Sequence, residues 1–332
     1  MSNMQVSALV AELNLRPGCT PAHVEREISV RINSVIYLAR LDEGPAGKAA
    51  VKCCRVSGTD RIDPVAATQQ FEALRRVHAA SSSQSARFTV PEPLWSSPRL
   101  GAFAMSWIEG ASLTDMLARK GALAELLTAV EQTGQWLGRF HLAGPLHTVS
   151  DSSQIANKAE YVLTMQAAPV RHPQFMRNLQ VLAHLGTAVA KLPLRVSWLH
   201  GDCKSDNFLL TGEGVCGIDI QLGHENAIEH DLAQFLNHFE LLTTRLKFRH
   251  RRAAGPALRQ AFLQGYRSTG LAPNEILLHW IQLWGASTFW HARVAVAAPA
   301  WPQRWLLNRM FANQAKGLVS GYWPTGLETA ST

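Results

Sequence analysis

The residues best placed to do chemistry lie in His200-Gly201-Asp202-Cys203-Lys204-Ser205-Asp206-Asn207, with a further carboxylate, Asp219, behind them. Asp202 and Asn207 stand five positions apart in a short polar stretch. Asp202 can accept the proton of an attacking hydroxyl, while Asn207 and Asp219 offer hard oxygen ligands of the kind Mg²⁺ takes. Apolar runs at 196–199 and 208–210 flank the polar stretch, and a third at 215–220 follows Gly212 and Gly214. The pattern predicts short buried strands holding a charged loop between them. The plainer reading is a polar turn in which Asp and Asn act as turn formers.

The eight residues and Ile218-Asp219 resemble the His-Gly-Asp-x4-Asn and Ile-Asp signatures of the aminoglycoside phosphotransferase and choline kinase family. Asp231-Leu232-Ala233 downstream extends the match. The resemblance implies an α+β fold, bilobal and protein-kinase-like. A small β-rich N-terminal lobe with one key helix would span 1–107, and a larger, mostly helical C-terminal lobe 108–332. It also implies transfer of the γ-phosphate of ATP, with Mg²⁺, to a hydroxyl of a small molecule. Asp202 would then be the catalytic base, with Asn207 and Asp219 holding the metal. Lys204 would neutralise charge on the transferred group, or remain a solvated loop lysine. Asp231 would brace the loop through backbone hydrogen bonds. His141, ending Leu137-Gly138-Arg139-Phe140-His141, reads as a satisfied core histidine.

The nucleotide would be held further upstream. Residues 28–41 read as two strands with a turn near 31–34, and 49–54 as a third strand carrying Lys52 among small or apolar neighbours. That strand resembles the Val-Ala-Ile-Lys strand of kinases, whose lysine holds the α- and β-phosphates. An edge lysine that discourages aggregation is the alternative. Residues 67–78 read as a helix with Glu72 in its middle, and the resemblance implies an ion pair between Glu72 and Lys52. From residue 100 a strand runs into an extended link, where backbone groups of Ser106 and Ile108 would meet the purine edge.

Two departures stand out. The loop around 29–34 contains no glycine, so Asn33 and Ser34 would reach the phosphates with side chains in place of close backbone amides. Asp219 is followed by Ile220-Gln221, not Phe-Gly, and no Ala-Pro-Glu follows. Both absences point away from a protein kinase switched by loop phosphorylation.

Composition narrows the class further. The 332 residues are 47% apolar, enough for two lobes, and no unbroken apolar run marks a membrane span. The start lacks the pattern of a secretory signal, and five cysteines lack metal-type spacing, which reads as a reduced, cytoplasmic protein. From Glu240 onward eleven Lys/Arg face three Glu and no Asp, within a net charge of +7. A basic, acid-poor end argues against a polycationic acceptor and for a sugar or glycan-type one, uncharged or anionic. Trp280, Trp284, Trp290, His291 and Arg293 share one helical segment and could either stack a sugar ring or pack helices together. Further helices are expected at 4–14, 112–120, 123–142, 155–166, 175–192, 231–245, 254–268, 273–297 and 301–320. A lipopolysaccharide-type kinase touching an anionic membrane peripherally is one alternative. A pseudokinase acting as a binding module is another. No nucleic-acid-binding module is recognisable.

Overall fold

The computed structural model describes residues 11–12, 22–41, 47–83, 88–150, 153–166, 172–222, 225–297 and 301–320. Most of the helix expected at 4–14 lies outside them, as does most of the hairpin turn expected over Asp42–Gly47 between the second and third strands. The chain falls into two compact units, Met1–Ala111 with Leu209–Leu222, and Ser112–Phe208 with Gly223–Thr332. This differs from a single cut between 107 and 108, because a late segment joins the first unit.

The first unit is built on an antiparallel sheet of five strands in the order β1-β2-β3-β5-β4. These are β1 (Ala22–Val30), β2 (Ser34–Leu41), β3 (Lys48–Cys54), β4 (Pro93–Ser97) and β5 (Ala102–Ser106). Side chains alternate across a pleated strand, and here both faces are buried. Val35, Tyr37, Ala39, Val51, Cys53, Trp95, Ala102 and Ala104 form a core on one face. Lys52 therefore projects from the other, opposite Ile36 on β2 and Phe103 on β5. Helix α1 (Pro64–Ser83) packs there, with the Phe71 and Phe103 rings 6.2 Å apart. The late segment carries strand β9 (Gly214–Gly217), which follows β8 (Phe208–Thr211). Cys216 forms a parallel bridge with Thr89, and Gly217 N–H donates to the Thr89 carbonyl at 3.1 Å. That junction sets the position of Asp219, two residues past the strand.

The second unit is mainly helical. In chain order it contains α2 (Leu113–Ala118), α3 (Leu123–Ala143), β6 (His147–Val149), α4 (Ser153–Gln166), α5 (Pro173–Val189), β7 (Leu194–Ser197), α6 (Glu229–Thr244), α7 (Gly255–Arg267), α8 (Glu275–His291) and α9 (Trp301–Ser320). Helix α3 buries Leu126, Ala129, Val130, Thr133, Trp136, Leu137 and Phe140, the three-and-four spacing of an amphipathic stripe. It crosses α7 at close range. A Cβ on Gly265 would lie 1.9 Å from the Glu131 carbonyl oxygen, and one on Gly134 2.1 Å from that of Phe262. Backbone cannot yield as a flexible side chain does, so Gly265→Ala should cost about 1–3 kcal/mol. A lower urea midpoint checks this; an unchanged one would mean the helices separate freely. Among the described residues no helix is long and apolar enough to cross a membrane.

Candidate functional site

In the second unit the loop at 200–207 is held by one helix. Asp231, Gln234 and His238 occupy one face of α6 at spacings of three and four. Asp231 accepts the amides of His200 at 2.6 Å and Gly201 at 3.2 Å. Gln234 Oε1 accepts the Cys203 amide at 2.7 Å, and His238 Nδ1 lies 3.2 Å from Ser205 Oγ. Gly201 has φ of +79°, a conformation that costs glycine little and side-chain residues more. That turn follows β7 directly, so Asp202 emerges from a braced backbone.

Asp202 receives three contacts. Lys204 Nζ donates to its Oδ2, Asn207 Nδ2 donates to the same oxygen at 3.0 Å, and Asn207 Nδ2 also reaches the Asp202 carbonyl at 2.8 Å. The carboxamide thus spends its nitrogen on Asp202. Its Oδ1 is buried with no hydrogen-bond partner. An orphaned, buried amide oxygen suits a hard cation such as Mg²⁺.

In the first unit, Lys52 is 5% exposed and its ammonium donates to Asp219 Oδ1. Arg31, at the turn after β1, places Nη1 3.4 Å from Asp219 Oδ2. Asp219 is the one non-glycine residue with positive φ among the described residues, at +60°. Such a backbone costs on the order of 1–2 kcal/mol, and its presence at a doubly contacted carboxylate fits a functional position.

Several expected placements differ. Glu72 does not pair with Lys52: its carboxylate accepts from Arg75 Nε at 2.9 Å, one helical turn along α1. Ser106 N–H is taken by the Glu92 carbonyl at 2.9 Å, and Ser106 Oγ accepts the Glu92 amide, so this amide is committed within the sheet. Ile108 follows as a half-buried residue. In the glycine-free loop Ser34 is buried and Asn33 gives its carbonyl to the Arg55 amide. Arg31, which the sequence reading passed over, is the loop side chain that reaches Asp219. Its only signal was a basic residue in a loop that lacks glycine.

A cavity of about 820 Å³ in the second unit is lined by Asp202, Lys204, Lys158, His230, Trp284 and other residues of α4, α6 and α8. Of the tryptophan stripe only Trp284 lines it. Trp280 is buried with Nε1–H donating to the Leu182 carbonyl at 3.0 Å, and Trp290 is buried against Phe175. Arg293 lies over the Phe289 ring. Packing thus claims most of the stripe.

His230 carries a pH signature. Burial pushes its imidazole down to about 4, with the Lys158 charge adding and Asp231 opposing. Between its ordinary value of 6.5 and about 4 the unfolded chain binds a proton that the folded one refuses. Stability should therefore fall as pH drops through that window, by at most about 3 kcal/mol. Urea unfolding of wild type and His230→Asn at about pH 7 and about pH 4.5 checks this, since the variant should lose part of the slope. Identical slopes would contradict it.

A model described as the phosphotransferase enzyme family matches residues 52–277, more than half of the chain. No curated protein matches it by sequence. Solved structures share its fold. A glucosamine kinase in complex with glucosamine, ADP and inorganic phosphate is 16% identical, covering 95% of this chain and 85% of that one, with a TM-score of 0.64. A choline/ethanolamine kinase family protein from Mesorhizobium loti is 17% identical over 96% and 95%, with a TM-score of 0.58. An amicoumacin kinase in complex with AMP-PNP and Ca²⁺ is 13% identical over 96% and 93%, with a TM-score of 0.59.

Proposed function

Because the chain belongs to the phosphotransferase enzyme family, we propose that it moves the γ-phosphate of ATP to a hydroxyl of a sugar- or glycan-type small molecule, uncharged or anionic. The observation that carries this reading is Asp202: a braced carboxylate, oriented by Lys204 and Asn207, on the wall of a cavity large enough for a sugar. Similar folds with glucosamine and ADP, or with AMP-PNP and Ca²⁺, support the sugar-type acceptor and the nucleotide with its divalent ion.

Asp202 orients the acceptor hydroxyl and takes its proton as the oxygen attacks phosphorus. Lys204 offsets negative charge at the transferred group. Lys52 and Arg31 hold the phosphate tail. Asn207 and Asp219 would hold Mg²⁺, which supplies charge neutralisation along the phosphates when bound.

Titration with Mg²⁺ and AMP-PNP tests the nucleotide half. Lys52→Met and Arg31→Ala should each weaken binding by about tenfold, the loss expected for one hydrogen bond to a charged group. Unchanged affinity in both variants would contradict the assignment.

A further inference from the structure

The cavity beside Asp202 says which acceptors it suits. Its lining includes two carboxylates, Asp202 and Asp231. Asp231 is taken up by His141 and two backbone amides, and Asp202, whose Oδ2 is held by Lys204 and Asn207, keeps its other oxygen for the reacting hydroxyl. Lys158, on α4, is the reverse case. Among the described residues no carboxylate stands within ion-pair distance of its ammonium. It lies instead over the Trp284 ring, with Nζ 5.5 Å from the centroid. Burial pushes its pKa down, so water does not fully solvate it. A partly desolvated ammonium without a counter-ion is the costly half of an ion pair. Two residues of the same lining, Trp284 and His230, also carry buried ring nitrogens, Nε1 and Nε2, with no hydrogen-bond partner. A cation without an anion thus stands at the cavity, with the Trp284 ring beneath it and His230 on the same lining.

We infer that Lys158, Trp284 and His230 form the acceptor subsite, and that the acceptor is a hydroxyl compound bearing a negative group, carboxylate or phosphate, which Lys158 binds. This rests on the phosphotransfer reading for the role of the cavity. Trp284 supplies an apolar wall against which a sugar ring can lie, and His230 stands beside it on the lining. Lys158 is an acceptor-binding residue and takes no part in proton transfer.

The test uses glucuronate, glucose 6-phosphate, glucose and glucosamine as probes on the full chain with Mg²⁺ and AMP-PNP, read by calorimetry. At least one anionic probe should bind about tenfold more tightly than glucose, and glucosamine no better than glucose. Preference for glucuronate alone identifies a carboxylate, and for glucose 6-phosphate alone a phosphate. Lys158→Gln should abolish the preference, and Lys158→Arg should keep it. No anionic preference in wild type, or one that survives Lys158→Gln, overturns the inference. Turnover of the same probes with ATP is measured separately. Anion-selective binding without turnover upholds the subsite and counts against phosphotransfer. Turnover of glucose or glucosamine without anionic preference does the opposite.

Discussion

Asp202→Ala is expected to lower kcat by about 10²–10⁴, the range set by removal of a general base, with nucleotide affinity little changed. The geometry makes this a test of chemistry and not of folding. Asp202 is half-buried, and its loop is held by Asp231, Gln234 and His238, none of which depends on the Asp202 side chain. Asp202→Asn sharpens the result, since it keeps the size and one acceptor oxygen but cannot take a proton at neutral pH. A comparable loss in both variants assigns the effect to proton acceptance. If the Asp202→Asn variant retained most of the rate, orientation alone would be the role of this side chain. Steady-state rates with saturating acceptor separate these outcomes.

Asp231→Ala should instead unfold the second unit more readily, by about 3–5 kcal/mol, the usual loss when one partner of a buried charged network is removed. Asp231 is 1% exposed and serves three donors: the His200 and Gly201 amides and His141 Nε2, the last 3.2 Å away. His141 Nδ1 in turn lies 2.9 Å from the Tyr266 hydroxyl, so the truncation reaches α7. Burial on its own would raise the Asp231 carboxyl, but the His141 hydrogen bond, the electrostatic influence of the His141 and His200 rings and the His200 amide outweigh it and hold the pKa below its ordinary 3.8. A depressed carboxylate stabilises the fold above its unfolded pKa, and that contribution disappears as pH falls through the folded value. The destabilisation should therefore be full near neutral pH and shrink only in strong acid. Denaturant unfolding of wild type and variant across that range measures it. A loss below about 1 kcal/mol at neutral pH would show that the brace is dispensable.

Local signals in the sequence carried far where chemistry and periodicity coincide. The polar loop between apolar runs, the turn after β1 and the helices from α2 to α9 are written in residue spacing. Lys52 was legible because strand alternation puts a lysine inside only for a reason. Its partner was not, since whether Glu72 or Asp219 meets it depends on the rotation of α1 and on where the chain after β9 lies, neither of which residue types encode. Arg31 escaped notice because a turn arginine looks solvated until the carboxylate it meets is located. Gln234 and His238 were visible in principle, at three and seven positions after Asp231, yet ordinary α6 faces look the same. Trp280 and Trp290 show the reverse error. Helical spacing puts aromatics on a stripe without saying whether a ligand or another helix covers it. Lys158 had no local signal at all, for its meaning comes from the absence of a carboxylate near it among the described residues.

Phosphorus-31 spectroscopy of wild type and Asp202→Ala, each with Mg²⁺, ATP and the sugar and sugar-acid panel, bears most directly on the transfer itself. Wild type should yield ADP and a phosphomonoester in equal amounts, and the variant neither above background. Equal background signals in both proteins, or ADP accompanied only by inorganic phosphate, would contradict transfer to an acceptor hydroxyl.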